Sequence, residues 1–197
     1  MMKRSRRGLR ISFNSPVVLG FTFLCLITQV LNLLTGGGSN RLLFSVYRAG
    51  ALDPLTYLRL VLHVLGHADW EHLLSNMMYF LILGPMLEEK YGGKNLLYVM
   101  LATAVVTGVL TILLFPHVRL LGASGIVFAF ILLSSITVRE QGTIPLTFLL
   151  VALMYIGQQV YEGVFLQDNV SNLSHIAGGI VGAVIGYQLN KRTNKRY

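Results

Sequence analysis

The chain has 197 residues, of which 54% are hydrophobic and only 12% are charged, and its formal net charge is +8. Because soluble domains carry about 25% charged residues, this composition indicates an integral membrane protein. The Lys and Arg residues lie mostly at the ends of apolar segments and form no stripe interleaved with aromatic residues, so nucleic acid is not an expected partner. A single cysteine, Cys25, excludes an internal disulfide.

The first apolar segment follows a basic tail, residues 1–16, that ends in Ser15-Pro16, a pair typical of a helix start. A signal peptide is one interpretation of residues 17–34. However, the segment is long enough to span a bilayer, and no small-residue cleavage site precedes Gly36. We therefore expect an uncleaved first helix with its N-terminus in the cytoplasm.

A long and frequently interrupted segment, residues 35–70, comes next and contains no stretch long enough to span. Leu55, Leu58, Leu62 and Leu65 recur at helical spacing, which predicts short helices lying in the membrane interface. Connections of this length are uncommon in compact domains, so the segment is expected to serve the function.

Six membrane-spanning helices are predicted, at about 17–34, 72–87, 95–115, 124–138, 144–160 and 172–189. They form one membrane domain, residues 17–190, followed by a basic cytoplasmic tail, residues 191–197. With both termini in the cytoplasm, twelve Lys and Arg residues lie inside and four outside, which obeys the positive-inside rule. The expected fold is therefore an all-α, six-helix membrane bundle with a long interfacial first loop.

The sequence Gly122-Ala123-Ser124-Gly125 opens the fourth predicted span. Ser124 is either a helix cap or a nucleophile on a tight turn. Only about 15 residues separate it from Arg139, roughly 22 Å of helix against a hydrocarbon core of about 30 Å. Ser124 should thus lie below the outer surface, and irregular backbone at that depth is tolerated only when buried or lining a wet cavity. A cavity around Ser124 is predicted.

Several polar residues could meet this serine. His175 precedes a stripe of glycines, Gly178, Gly182 and Gly186, which is typical of a close helix–helix contact. The histidine either hydrogen-bonds across a helix pair or acts as a general base for a serine at matching depth.

Three further histidines and an amide surround the start of the second span, at His63, His67, His72 and Asn76. Their spacing matches neither H-E-x-x-H nor H-x-x-E-H, so no metal is expected. His72 and Asn76 share one helix face, where two side-chain donors could stabilise an oxyanion.

Together these motifs resemble the rhomboid family of intramembrane serine proteases. The resemblance rests on Gly122-Ala123-Ser124-Gly125, on His72 with Asn76, and on Ser174-His175-Ile176-Ala177-Gly178. It implies that Ser124 is the nucleophile and His175 its base, without a third acid or a cofactor. It also implies an oxyanion hole formed by His72, Asn76 and the N–H of Ser124.

The same resemblance implies roles for residues outside the dyad. Arg59 matches the arginine of the family's W-R pair, Glu88 matches a glutamate after the second helix, and His63 and His67 are expected to be structural or to line the water path. The implied substrate is a transmembrane segment in the bilayer, entering beside a mobile fifth helix. The implied location is a cell membrane, with a prokaryotic one expected.

The chain departs from the family pattern at three positions. Leu58 replaces the tryptophan of W-R, Phe128 stands where tyrosine is frequent beneath the histidine, and Ser174 replaces a frequent alanine. The Phe128 ring can still stack on His175, so an active enzyme is expected. A catalytically silent relative that binds transmembrane clients is the main alternative. A small transporter is disfavoured because the two halves of the chain do not resemble each other.

Overall fold

The computed structural model describes residues 12–50, 52–136, 143–165 and 169–193. Within these ranges the regular structure is helical, without a β-strand, apart from one isolated bridge between two loops. The α-helices are α1 (Pro16–Leu34), α2 (Gly38–Leu42), α3 (Pro54–Leu62), α4 (Trp70–Tyr91), α5 (Gly93–Leu114), α6 (Ser124–Ser135), α7 (Leu146–Phe165) and α8 (Asn169–Thr193). A short 3-10 helix, His63–Leu65, follows α3.

Each of the six predicted spans coincides with one of the long helices α1 and α4 to α8, although the bounds differ. α4 begins two residues before the predicted position, α7 extends to Phe165, and α6 ends at Ser135. Arg139 and the outer parts of both basic tails lie outside the described residues. By length and composition alone, α1 and α5 are able to cross a membrane. The count of six spans stays a prediction.

Local sequence explains where several helices begin. Pro16 and Pro54 occupy the first turns of α1 and α3, where a missing N–H is harmless. Asp53 caps α3 by accepting from the Leu55 N–H, and Asp69 caps α4 by accepting from the His72 N–H at 2.8 Å. The cap at Asp69 fixes the register of α4 and hence the positions of the polar residues in its first two turns.

Helix α6 lies at the centre of the bundle and contacts α4, α5, α7 and α8. Its side chains Ile126, Ala129, Phe130 and Leu133 are fully buried. α8 packs closely against it, because a Cβ at Gly178 would collide with the Gly125 carbonyl oxygen. The predicted glycine stripe is confirmed as a packing face, since Gly182 lies against the Ala129 backbone and Gly186 against the Leu133 side chain.

Glu88 joins α4 to the start of α1. Sequence reasoning placed it after the second helix, but that was wrong, because α4 continues past it to Tyr91. The carboxylate is only 7% exposed and accepts from the Val17 N–H at 3.1 Å and the Val18 N–H at 3.0 Å. It therefore caps α1 in place of Ser15, whose side chain makes no capping bond.

Buried Arg59 holds the first loop together. The residue is 3% exposed, and its guanidinium donates to the Leu42 carbonyl oxygen at 2.8 Å and pairs with Asp53 at 2.8 Å. It also lies 4.6 Å from the centroid of the Tyr47 ring, and Arg119 lies at 4.6 Å from the same centroid. Tyr47 thus links the first loop to the loop that precedes α6.

A pair of backbone hydrogen bonds joins the same two loops. The Val46 N–H donates to Leu120 O at 2.8 Å, and the Leu120 N–H donates to Val46 O at 2.9 Å. Arg48, two residues on, donates to the Ile112 and Leu113 carbonyl oxygens at the C-terminal end of α5. The connection between α5 and α6 is therefore fixed at both ends.

Candidate functional site

The turn before α6 presents Ser124 as the first residue of the helix. Gly122 has φ of +124°, a value that L side chains rarely adopt, and Ala123 is the N-cap. No side chain caps the helix at that position. Ser124 is therefore not the cap that one interpretation of the sequence proposed, and its side chain is half-buried at the edge of a cavity.

The turn is supported by the segment that leads into α4. The Gly122 N–H donates to the His63 carbonyl oxygen at 3.0 Å, and the Ala123 N–H points at His67 Nε2 across 3.5 Å. A Cβ at Gly122 would lie 2.8 Å from both Cε1 and Nε2 of His72. The residue before Ala123 must therefore be glycine for the His72 imidazole to lie against the turn.

His63 and His67 are buried and neutral. Burial lowers the pKa of each imidazole from 6.5 to about 4, and for His67 the neighbouring His72 adds to the effect. Both Nδ1 atoms face carbonyl oxygens, of Arg59 at 3.0 Å and of Leu65 at 3.2 Å. These contacts place the proton on Nδ1, so Nε2 of His67 is free to accept from Ala123.

His72 has the opposite tautomer. The Ala68 N–H points at its Nδ1 across 3.5 Å, which leaves the proton of a neutral imidazole on Nε2, the atom beside Gly122. One turn along α4, Asn76 Nδ2 donates to the His72 carbonyl oxygen at 2.9 Å. The second N–H of this amide remains for another acceptor, and Asn76 lines the same cavity as Ser124.

His175, on α8, lies near the first turns of α6. Its ring centroid is 4.4 Å from that of Phe128, one turn after Ser124, so the predicted ring contact is present. A Cβ at Gly125 would lie 3.5 Å from the Ser174 carbonyl oxygen. The close approach of α8 to α6 thus brings the histidine to the first turn of the serine helix.

A cavity of about 300 Å³ borders Ser124, as the short helix predicted. It lies between α4, α6 and α7, and its lining residues are Ser75, Asn76, Tyr79, Ser124, Val127, Phe128, Ile131 and Gln158. The irregular backbone at Gly122 and Ala123 is buried in protein, directly before the residue that borders the cavity.

Comparison with known proteins identifies the family. A family model for the Rhomboid domain matches residues 54–192, which is more than half of the chain. The chain belongs to the rhomboid family. Rhomboid proteins are integral membrane proteins, so the class inferred from composition is confirmed.

Curated relatives fall within the same family. The chain is 27% identical over 139 residues to Rhomboid-like protein 11, chloroplastic, of Arabidopsis thaliana, covering 64% of this chain and 50% of the relative. It is 30% identical over 155 residues to Rhomboid-related protein 2 of Mus musculus, covering 68% and 51%. It is 25% identical over 179 residues to Rhomboid protease GlpG of Yersinia pestis (strain Pestoides F), covering 87% and 62%. The matches thus span one half to three fifths of the relatives' lengths.

The rhomboid residues selected from sequence do not all meet at one place. His63, His67 and His72 gather around Gly122 and Ala123, while Phe128 and Gly178 accompany His175. Glu88 lies sixteen residues beyond His72, about 24 Å along α4, and Arg59 acts within the first loop.

Three polar cavity residues of this rhomboid chain escaped sequence reasoning. Ser75 and Tyr79 line the cavity from α4, and Gln158 lines it from α7. Tyr79 lies seven residues after His72, two helical turns along the same face, and this spacing was a usable signal. Gln158 stands out as an amide in an apolar helix, which is the signal that could have found it.

Proposed function

We propose that this rhomboid-family chain is an intramembrane serine endopeptidase in which Ser124 is the nucleophile and His175 the general base. The observation that carries the proposal is the packing of the His175 ring on Phe128, one turn beyond a serine that opens into a cavity. The direct approach of α8 to α6 at Gly125 and Gly178 supports it. On other folds, a histidine paired with a serine accepts the hydroxyl proton and so activates the serine as a nucleophile.

In the proposed reaction, His175 takes the proton from Ser124 Oγ as the oxygen attacks the carbonyl carbon of the scissile bond. The tetrahedral intermediate then collapses as His175 returns the proton to the leaving amine. A water activated by the same imidazole hydrolyses the acyl-enzyme and releases Ser124. The cavity beside Ser124 gives that water a place to enter.

The proposed oxyanion hole consists of His72 Nε2–H, the second N–H of Asn76 Nδ2, and the backbone N–H of Ser124. The tautomer of His72 supports its role as a donor, and Asn76 borders the same cavity as Ser124. The positive end of α6 adds to the stabilisation. Each such donor contributes about 3 kcal/mol to the barrier reduction.

We assign His63 and His67 to structural support of the serine turn. Both are 1% exposed. The backbone carbonyl oxygen of His63 accepts from the Gly122 N–H, and its imidazole lies between the Arg59 carbonyl oxygen and the Thr107 hydroxyl. The ring of His67 meets the turn directly, with Nε2 facing the Ala123 N–H. The imidazole of His67 must be neutral in this role, because a proton on its Nε2 would face the Ala123 N–H.

For the membrane, we propose six spans with both termini in the cytoplasm of a prokaryotic cell. The predicted charge distribution supports this orientation, and α1 and α5 have the required length. The proposed substrate is a transmembrane segment of another protein that enters the cavity beside α7. The position of the cavity between α4 and α7 supports this route.

The proposal is tested by incubating the purified chain with a fluorophosphonate and with a test transmembrane substrate. We expect Ser124 to be labelled and the substrate to be cleaved, and both activities to be lost in Ser124→Ala and His175→Ala. Ser134→Ala is a matched control, because Ser134 lies on the same helix and its hydroxyl donates to the Ile131 carbonyl oxygen. A folded chain that binds the substrate without labelling or cleavage would instead support the silent-relative alternative.

A further inference from the structure

A second cavity lies at the other end of α4 from His72. Its volume is about 750 Å³, within the range of about 300–1,000 Å³ that is typical of ligand sites. Its walls come from the residues that lead into α1, from the C-terminal half of α4 and from Gly93 at the start of α5. Among its described lining residues none is proposed for catalysis, so this cavity is separate from the one beside Ser124.

One wall of the second cavity is apolar and lies on the outer surface of the bundle. Ile82 and Met86 are one turn apart on α4 and are 66% and 46% exposed. Pro85, three residues after Ile82, lines the same wall. In an integral membrane protein, exposed apolar side chains of this kind contact lipid acyl chains. A ligand in the cavity therefore has an apolar surface of α4 beside it.

The same cavity contains a carboxylate whose charge is not compensated. Glu89, three residues after Met86, is exposed and has no hydrogen-bond or ion-pair partner in the part of the chain that the structure describes. Its neighbour Glu88 also lines the cavity, but that carboxylate already accepts from the N–H groups of Val17 and Val18. The negative charge available to a ligand thus belongs to Glu89.

A buried hydroxyl in the wall also lacks a partner. Ser15 is 2% exposed, lines the cavity and makes no capping bond to α1. Within the described ranges, no other group of the protein is hydrogen-bonded to its hydroxyl. Because a buried polar group without a partner is unfavourable, a polar ligand beside Ser15 is stabilised. Asn14, the preceding residue, adds an amide to the same wall.

The depth of Glu89 matches that of lipid headgroups. α4 has 22 residues, about 33 Å of helix, against a hydrocarbon core of about 30 Å. Trp70 and Tyr91 occupy its two ends, as aromatic residues do at the two membrane interfaces. With α4 spanning as proposed, Glu89 in its last turn lies beside the headgroups, and Ile82 and Met86 lie beside the acyl chains.

We propose that this cavity binds a phospholipid whose headgroup ends in a primary ammonium, as in phosphatidylethanolamine. The ammonium pairs with the Glu89 carboxylate, and an acyl chain lies along Ile82 and Met86. A primary ammonium has three N–H donors, which suits the acceptors offered by Glu89, by the hydroxyl of Ser15 and by the amide oxygen of Asn14. The ligand therefore joins the charged and the apolar parts of the cavity.

The lining discriminates between phospholipid headgroups. A choline headgroup has no N–H donor and is recognised by aromatic rings, which are absent from the described lining residues. Phosphatidylglycerol brings a negative charge to Glu88 and Glu89 without an ammonium to offset it. Exposed Lys94, directly after Gly93, offers a cation for the phosphate that all three lipids share. The inference rests on the proposed spans and not on proteolysis.

Native mass spectrometry of the detergent-purified full chain measures the preference. Phosphatidylethanolamine, phosphatidylcholine and phosphatidylglycerol with identical acyl chains are added in equal amounts, and we expect the first to bind about tenfold more tightly than either of the others. Glu89→Gln keeps the size of the side chain and should reduce that ratio to about one. Glu71→Gln changes an exposed carboxylate in the first turn of the same helix and should retain it.

Glu89→Asp provides a second variant, which keeps the charge and should keep the preference for phosphatidylethanolamine. Equal binding of the three lipids by the wild-type chain, or a preference that persists in Glu89→Gln, overturns the inference. A bare monomer or a bare dimer at every lipid concentration also overturns it, since the chain's own N-terminal residues or a second copy would then fill the cavity. Because the measured quantity is bound lipid, Ser124→Ala should show the wild-type preference, which separates this result from failure of the proposed protease function.

Discussion

The imidazole of His175 lies against the ring of Phe128, with 4.4 Å between the two centroids and a 42° angle between the planes. This contact places the histidine against α6, and Phe128 has no hydroxyl of its own that could donate to the imidazole. The helix that carries the proposed nucleophile therefore also carries a ring that packs on the proposed base.

Removal of the Phe128 ring should slow the chemistry at Ser124. In Phe128→Ala the His175 ring loses its packing partner, and we expect the rate of fluorophosphonate labelling to fall at least tenfold, because even small misplacements of a base are costly. Phe128→Tyr retains the ring, so its rate of fluorophosphonate labelling should stay within about threefold of the wild-type rate. An undiminished labelling rate in Phe128→Ala would contradict the positioning role.

Gly178→Ala should separate α8 from α6. The added Cβ meets the Gly125 carbonyl oxygen, which is backbone and cannot move aside, so we expect a loss of about 1–3 kcal/mol in unfolding free energy and a loss of cleavage. Gly20→Ala on α1 is the control, because its Cβ meets nothing within 4 Å. That variant should be as stable as the wild type or up to about 1 kcal/mol more stable. Thermal unfolding in detergent distinguishes the two.

Acid should destabilise the chain through His63 and His67. Their pKa of about 4 in the folded chain lies below the unfolded value of 6.5, so the unfolded state binds more protons between these limits. Stability is therefore complete above pH 6.5 and falls as the pH drops toward 4, by on the order of 3 kcal/mol for each histidine.

The measurement is the melting temperature from pH 7.5 to pH 4. His67→Gln should show a weaker dependence on pH, because one of the two groups is gone, while His117→Asn, at an exposed position, should follow the wild type. A melting temperature that stays constant between pH 7 and pH 5 would show that these imidazoles do not remain neutral by burial.

Glu88→Ala should weaken the attachment of α1. The substitution leaves the N–H groups of Val17 and Val18 without their carboxylate, and hydrogen bonds to a charged acceptor contribute about 1.5–3 kcal/mol. Glu89→Ala removes an exposed carboxylate from the next position and should change the unfolding free energy by less than about 0.5 kcal/mol. Similar melting temperatures for the two variants would argue against the capping role.

Sequence periodicity predicted the long helices because their apolar runs have the length of a bundle helix and end at a glycine, a proline or a charged residue. The glycine stripe of α8 could also be predicted, because Gly178, Gly182 and Gly186 lie on one face of a helix whichever helix packs against it. The cavity followed from a length argument alone, because a helix of about 15 residues cannot cross about 30 Å of hydrocarbon.

The contacts that support the site were not predictable in the same way. The bonds from His63 and His67 to the serine turn join residues more than fifty positions apart, and Glu88 reaches residues about seventy positions earlier. No local pattern encodes such pairings, which depend on how the helices pack. Glu88 was consequently placed beyond its helix.

The pairing of Val46 with Leu120 has a consequence for the smallest fragment that can fold around Ser124. A fragment beginning at Pro54 would contain every residue proposed for catalysis, yet its chain before α6 would have two unpaired backbone groups at Leu120 and no Tyr47 beneath Arg119. The turn before Ser124 is thus held by the segment around Val46, which contributes none of the groups proposed for catalysis. We therefore expect the smallest fragment that folds around Ser124 to begin upstream of Val46.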